Sequence, residues 1–193
     1  MDIFLVSLTL DSTQMAVSKV SVLRNCRFKC VDKTPGLYRW WFKKEVAHGL
    51  IKNMSQWLTE NDKFYMQNFD GEEYIALYFG ISTNLRDRIR WHISDKHRPS
   101  SVSTRFLSTL RQTLSALLEK PMTESEDIIN KFLDDNCILE WSYTETHEAA
   151  RQVELNTLSP KSPYYYPLNV ESNHTIHKDA LKWLKQQRKE YRR

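Results

Sequence analysis

Residues 74–93 read Tyr74-Ile75-Ala76-Leu77-Tyr78-Phe79-Gly80-Ile81-Ser82-Thr83-Asn84-Leu85-Arg86-Asp87-Arg88-Ile89-Arg90-Trp91-His92-Ile93, and their apolar pattern changes period once, across the glycine. From Tyr74 to Phe79 the β-branched and aromatic content favours a strand, with Tyr74, Ala76 and Tyr78 facing one way and Ile75, Leu77 and Phe79 the other. Gly80 ends the strand on this reading. Ser82 or Thr83 then caps a helix in which Leu85, Arg88, Ile89 and His92 recur at i, i+3, i+4 and i+7 as one stripe. Arg and His on an inward stripe, beside a tyrosine at a strand end, exceed what packing requires. Such a place suits an anion.

Working outward, 193 residues with 40% hydrophobic content are enough for one well-buried domain spanning the chain. The formal charge of +4 is unevenly placed. Asn84 to Arg111 holds seven Arg or Lys against two Asp, and Lys178 to Arg193 holds seven against two acidic residues. Two local basic surfaces suit a polyanionic partner, although solvated helix faces would look the same. Cys26, Cys30 and Cys137 are odd in number and form no CxxC pair, which supports neither a disulfide framework nor a zinc site and fits a reducing cytoplasm. The apolar run Ile3 to Leu10 follows Asp2 rather than a basic region and is too short to span a bilayer, so neither a signal peptide nor a membrane segment is expected.

Residues 1–34 are expected to be an N-terminal extension with a short strand or helix at Ile3 to Leu10. An amphipathic helix would follow Asp11 or Ser12, burying Met15, Val20 and Leu23. Lys33-Thr34-Pro35-Gly36 signals a turn before a strongly aromatic strand, Leu37 to Phe42, with Tyr38, Trp40 and Phe42 on one side. Val46, Leu50, Ile51, Met54, Trp57 and Leu58 predict a helix over 45–58. Phe64 to Phe69 and Glu72 to Phe79 flank Asp70-Gly71 as a hairpin, because that pair tolerates the positive φ of a tight turn. Lys96 to Thr104 reads as a polar loop. Phe106, Leu107, Leu110, Leu114, Leu117 and Leu118 mark a core helix, and a shorter one lies around Ile128 to Leu133. Cys137 to Tyr143 is a third sheet strand. After Thr144 or Thr146 as cap, a helix over 147–158 shows Ala150, Val153, Glu154 and Thr157 on one stripe, Glu154 being the unusual member. Pro160 to Asn169 is a rigid loop, and 171–193 ends in a basic helix from about Lys178 to Tyr191, with Leu181 and Leu184 as its apolar contacts.

Taken together, Gly36-Leu37-Tyr38, Tyr78-Phe79-Gly80, then Leu85, Arg88 and His92, then Glu154 in the helix begun by Glu148-Ala149-Ala150, then Pro167-Leu168-Asn169, resemble the GIY-YIG nuclease family in order and nearly in spacing. The motif-bearing core spans 35–170. The resemblance implies an α+β fold, a small antiparallel three-stranded sheet flanked by helices, here with an inserted helix and strand over 43–72 that lengthens the interval between the two tyrosines. The lysine often found after the Tyr-x-Gly motif is Ile81 here, so Arg86 or Arg90 would have to fill its role. An insertion without a second recognisable domain is similar to the stand-alone restriction-endonuclease branch.

The implied activity is metal-dependent hydrolysis of DNA phosphodiesters, with Tyr38, Tyr78, Arg88, His92, Glu154 and Asn169 as its catalytic set. Arg88 would fork onto a phosphate. Glu154 would hold one Mg²⁺ or Mn²⁺ per site, with water and phosphate completing the shell. Tyr38 or Tyr78 would take the water's proton, and the counterpart of Tyr38 is the usual candidate. An ordinary phenol titrates near about pH 10, so that role requires help from the metal or Arg88. His92 would hold the phosphate or a tyrosine, and Asn169 would orient Glu154 or the backbone around it. This mechanism requires Tyr38, Tyr78, Arg88 and Glu154 to converge on one surface. Arg86, Arg90, Lys96, Arg98, Lys182, Lys185, Arg188 and Lys189 are candidate contacts to double-stranded DNA, and making double-strand breaks would favour a homodimer. The competing reading is a non-catalytic nucleic-acid-binding protein that retains the fold.

Overall fold

A computed structural model describes residues 4–6, 15–58 and 63–192 of the chain. Its centre is β3 (Gly36–Lys43), hydrogen-bonded on one side to β5 (Glu72–Ser82) and on the other to β6 (Cys137–Tyr143), all antiparallel. Every residue of β3 except Lys43 is buried, because helices and loops cover both of its faces. A strand buried on both sides loses polar alternation, which accounts for the unbroken run Leu37 to Phe42.

The expected three-stranded core is embedded in a larger sheet. β1 (Phe4–Val6), β2 (Met15–Lys19) and β4 (Tyr65–Phe69) extend it to six strands in the order β1-β2-β6-β3-β5-β4. The helix expected to begin after Asp11 or Ser12 is replaced by β2, which pairs with the edge of β6, and by the short helix α1 (Val20–Asn25). Met15, Val20 and Leu23 are buried as anticipated, but Met15 is a strand residue. Pairing to an open sheet edge has overridden local helical periodicity. Asp11, Ser12 and the rest of 7–14 lie outside the described residues.

β4 and β5 form the anticipated hairpin, with Asp70 at φ 53° and Gly71 at φ 84°, a turn with both central residues left-handed. Together with α2 (Lys44–Ile51) and a 3₁₀ turn (Lys52–Trp57), this hairpin accounts for the long interval between Tyr38 and Tyr78. The expected helix over 45–58 therefore tightens after Ile51. Gly80 does not end its strand, which runs on to Ser82.

The facing of β5 also differs from strict alternation. Trp40 pairs with Tyr78 but Trp41 pairs with Ala76, leaving Leu77 as an extra residue. This bulge sets Leu77 and Tyr78 on the same face as Tyr38 and Trp40, while Tyr74 and Ala76 stay with the opposite core. Strict alternation would have placed Tyr78 with Tyr74 and Ala76.

The face bearing Tyr38 is covered by α3 (Leu85–Ser94), α5 (Thr109–Leu117), α6 (Glu126–Asn136) and α8 (Lys178–Glu190). Asn84, rather than Ser82 or Thr83, caps α3 by accepting from Asp87 N–H. The loop expected over 96–104 contains the one-turn helix α4 (Pro99–Ser103). Phe106 precedes α5 and is 72% exposed, so it is not a core residue. The other face is partly covered by α7 (His147–Thr157) and the 158–170 segment, and it holds a buried Arg39–Glu140 ion pair at 2.6 Å. Among the described residues, no helix is long and apolar enough to cross a membrane.

Candidate active site

The site forms where β3, β5 and α3 meet. Tyr38 is 2% exposed and its hydroxyl lies 2.7 Å from His92 Nε2, whose Nδ1 lies 2.6 Å from Ser108 Oγ. Ser108 is held in turn: its N–H donates to Asp95 Oδ2, and its hydroxyl caps α5 by accepting from Arg111 N–H. A buried chain Tyr38–His92–Ser108 therefore links the strand to two helices. Burial, then the charges of Arg88 and Arg111, keep His92 well below the usual imidazole range, so it is neutral at physiological pH. Burial also pushes the Tyr38 phenol well above its usual range; neighbouring Tyr78 and Glu154 add to the rise and Arg88 opposes it.

The Tyr38 ring lies across its cross-strand partner Gly80. A Cβ at Gly80 would sit 2.5 Å from the Tyr38 hydroxyl oxygen and 2.6 Å from Cζ. Glycine stands here because the phenol occupies the place of a side chain. Tyr78, brought round by the bulge, stacks beside Tyr38 with centroids 6.3 Å apart and 27° between the planes.

Beyond Ala76 the outer edge of β5 is no longer paired to β4. The 158–170 segment fills that edge: Leu168 N–H donates to Leu77 C=O, and the Asn169 amide pairs with both backbone groups of Phe79, accepting at 2.9 Å and donating at 2.6 Å. Both functional ends of Asn169 are thereby engaged, which satisfies an edge that would otherwise be buried and unpaired. Asn169 thus holds the backbone between Tyr78 and Gly80.

Arg88 is half-buried on α3, with its guanidinium 4.8 Å over the Trp91 ring. Glu154 comes from α7, whose Thr146 cap accepts from Ala149 N–H. Val153 packs on the far core, whereas the charge of Glu154 acts on Tyr38, Tyr78 and Arg88. Those four groups therefore share one electrostatic neighbourhood. Among the described residues the Glu154 carboxylate has no hydrogen bond or ion pair. Burial raises its pKa, against the pull of Arg151, His147 and Arg88. A half-buried, unpartnered carboxylate whose charge reaches two phenols and a guanidinium is an oxygen ligand that suits a hard divalent cation. No group of three or more His, Cys, Asp or Glu that could hold a metal occurs among the described residues. A cation here would take one protein carboxylate, with water and phosphate as the remaining ligands, a shell that Mg²⁺ accepts.

The eight candidate DNA contacts divide sharply. Arg90, Arg98, Lys185 and Lys189 are exposed and unpaired among the described residues. Arg86 donates from Nε to Val31 C=O, Lys96 pairs with Glu126 at 2.5 Å, and Lys182 pairs with Asp179 at 3.3 Å. Arg188 is buried against α5, donating to Gln112 Oε1. Arg111, counted above in a basic surface, is fully buried and bonds His97 Nε2 and several carbonyls. The three cysteines are free thiols, with Cys26 and Cys30 sulfurs 2.8 Å apart. Sequence reasoning missed Ser108, whose only signal is its place as cap of α5.

The family model of the GIY-YIG catalytic domain matches residues 36–190, running past the motifs through α8. No curated protein and no solved structure matches the chain.

Proposed function

Because the chain belongs to the GIY-YIG nuclease family, we propose that it is a divalent-metal-dependent endonuclease that hydrolyses DNA phosphodiester bonds, an enzyme of the restriction or defence kind. The observation that carries this reading is the unpartnered Glu154 carboxylate sharing one electrostatic neighbourhood with the buried Tyr38 and Tyr78 and the half-buried Arg88. A protein that had kept the fold only to bind would gain nothing from leaving a half-buried carboxylate without a partner, since that costs stability.

In this reading Arg88 presents its fork to the non-bridging oxygens of the scissile phosphate. Tyr38, having first lost its own proton to solvent, takes the proton of the attacking water and returns to the phenol, and His92, neutral and steadied by Ser108, donates from Nε2 to the phenolate until that transfer. Tyr78 orients the water, and Asn169 fixes the strand on which Tyr78 stands. Glu154 would hold the divalent cation, whose positive charge would offset that of the phosphate and ease the loss of the Tyr38 proton.

Plasmid and phage DNA incubated with Mg²⁺ or Mn²⁺ test the proposal. A discrete ladder is expected, and Glu154→Gln should abolish cutting while leaving DNA affinity equal or slightly higher. Intact DNA with both metals, or normal cutting by Glu154→Gln, would overturn it.

A further inference from the structure

The basic C-terminal helix is more than a charged surface. Lys185, Arg188 and Lys189 recur at i, i+3 and i+4 on one stripe of α8, and Arg192, just past its C-cap, lies against the same cavity. With Arg105, from the segment before α5, they line a cavity of about 510 Å³ whose only carboxylate is Glu171. No ion pair joins Glu171 to any of the five among the described residues. Arg188 is only 9% exposed, and its Nη2 donates to Gln112 Oε1 at 3.0 Å. Arg192 Nη2 approaches the same oxygen at 3.4 Å, and the Nε of both arginines is buried without a partner.

One neutral amide oxygen cannot balance two guanidiniums, and a buried N–H left unpaired costs free energy. Burial lowers the pKa of Arg188, with Glu171 and Tyr78 opposing and Arg192 adding to the fall, and burial and Arg105 lower that of Arg192, so the nearby like charges are only partly offset. A cluster of that kind is relieved by an anion. The volume exceeds what a bare ion needs and admits a phosphate with its sugar attached.

The cavity adjoins the catalytic group through two shared walls. Glu171 lies two residues beyond Asn169, the clamp on Phe79, and Gln112 lies one helical turn beyond Ser108, the partner of His92. We propose that this cavity holds a second phosphate of the substrate strand, adjacent to the one at Tyr38 and Tyr78. The inference rests on the nuclease reading above and gives the C-terminal stripe one anion to hold, not a row of separate contacts.

That distinction is measurable by equilibrium binding to duplex DNA in metal-free buffer, which needs no cleavage. Each backbone phosphate neutralised lowers the slope of log affinity against log salt by about 0.9. Replacing Lys185, Arg188, Lys189 and Arg192 together by Gln should lower the slope by about 0.9, whereas four independent contacts would lower it by about 3.6. A scan of single methylphosphonates along each strand should find one position, apart from the scissile one, at which wild-type binding weakens about tenfold. At that position Arg192→Gln should lose little more. Arg192 is only partly buried, so this variant should fold even if Arg188→Gln does not, and a thermal melt checks each. A slope change near 3.6 or near zero, additive losses at every position, or tight uptake of inorganic phosphate without any coupled position would overturn the assignment. Coupling in a protein that cuts nothing would keep the cavity and sink the nuclease reading. Cutting without coupling would do the reverse, and absence of any nucleic-acid binding would sink both.

Discussion

Gly80→Ala offers a sharp separation between folding and catalysis. The added methyl carbon would stand 2.5 Å from the Tyr38 hydroxyl and 2.6 Å from Cζ, well inside the roughly 3.5–4.0 Å at which carbon atoms make favourable contact. The ring must retreat by about 1 Å. Tyr38 is 2% exposed, so the retreat disturbs a packed site and should cost about 1–3 kcal/mol, as overpacking generally does. The chain should still fold, because what is displaced is the far end of a side chain and not backbone. Catalysis should suffer more. The hydroxyl either leaves its 2.7 Å bond to His92 or loses its place beside Tyr78, and a misplacement of about 1 Å can cost roughly a hundredfold in rate. Single-turnover cleavage at saturating enzyme, a thermal melt and DNA affinity would be measured on the same preparation. The expected pattern is a modestly lower Tm, unchanged affinity and a rate down by about two orders of magnitude. A variant that melts lower yet cuts within a few-fold of wild type would refute the claim that the position of Tyr38 matters.

Asn169→Ala strips Phe79 of partners for both its N–H and C=O, so a stability loss of about 1–3 kcal/mol is expected together with slower cleavage, and Asn169→Asp, which keeps only the acceptor, should fall between. Burial and then Arg111 lower His97 to about 4, so between about pH 6.5 and 4 the unfolded chain binds a proton that the folded chain refuses. Stability is then fully present above about pH 6.5 and should fall by up to about 1.4 kcal/mol per pH unit below it; urea unfolding from pH 7.5 to 4.5 should show a shallower slope in His97→Gln, and equal slopes would exclude His97 as a source. If the chain breaks both strands in one encounter, sedimentation of Glu154→Gln on duplex DNA should show two chains per duplex, and a single chain would indicate nicking.

What the sequence revealed and what it hid follow from the range of the forces involved. The hairpin at Asp70-Gly71 was legible because a turn with two positive φ angles is a local demand that few residues meet. The strand Cys137–Tyr143 was legible from its local pattern, and the helix start after it was narrowed to Thr144 or Thr146, of which Thr146 is the cap. Met15 to Lys19 was not, since its strand conformation depends on the edge of β6, over 100 residues away. The bulge at Leu77 was equally hidden, because alternation counts residues and cannot see that a neighbouring strand skips one. Burial of charge was hidden as well: Arg111 and Arg188 look like surface cations in the sequence, and both are buried.

The motif glycines carry a further step. Neither Gly36 nor Gly80 has a positive φ, so backbone freedom does not explain them. A Cβ at Gly36 would collide with Ser142 C=O and lie 2.5 Å from Leu85 Cδ1. Gly36 therefore lets the first residue of α3 sit against the junction of β3 and β6, while Leu85 N–H donates to Thr34 C=O and fixes the helix start. Two turns later along the same stripe, His92 arrives at the Tyr38 hydroxyl, and that hydroxyl has room because Gly80 lies under the ring. One glycine sets where the helix begins and the other makes space for what it meets. A side chain at Gly36 should accordingly act at a distance: by shifting α3 it would part His92 from Tyr38 without touching either, and the loss of rate would come with a larger loss of stability than Gly80→Ala causes, because backbone has to move.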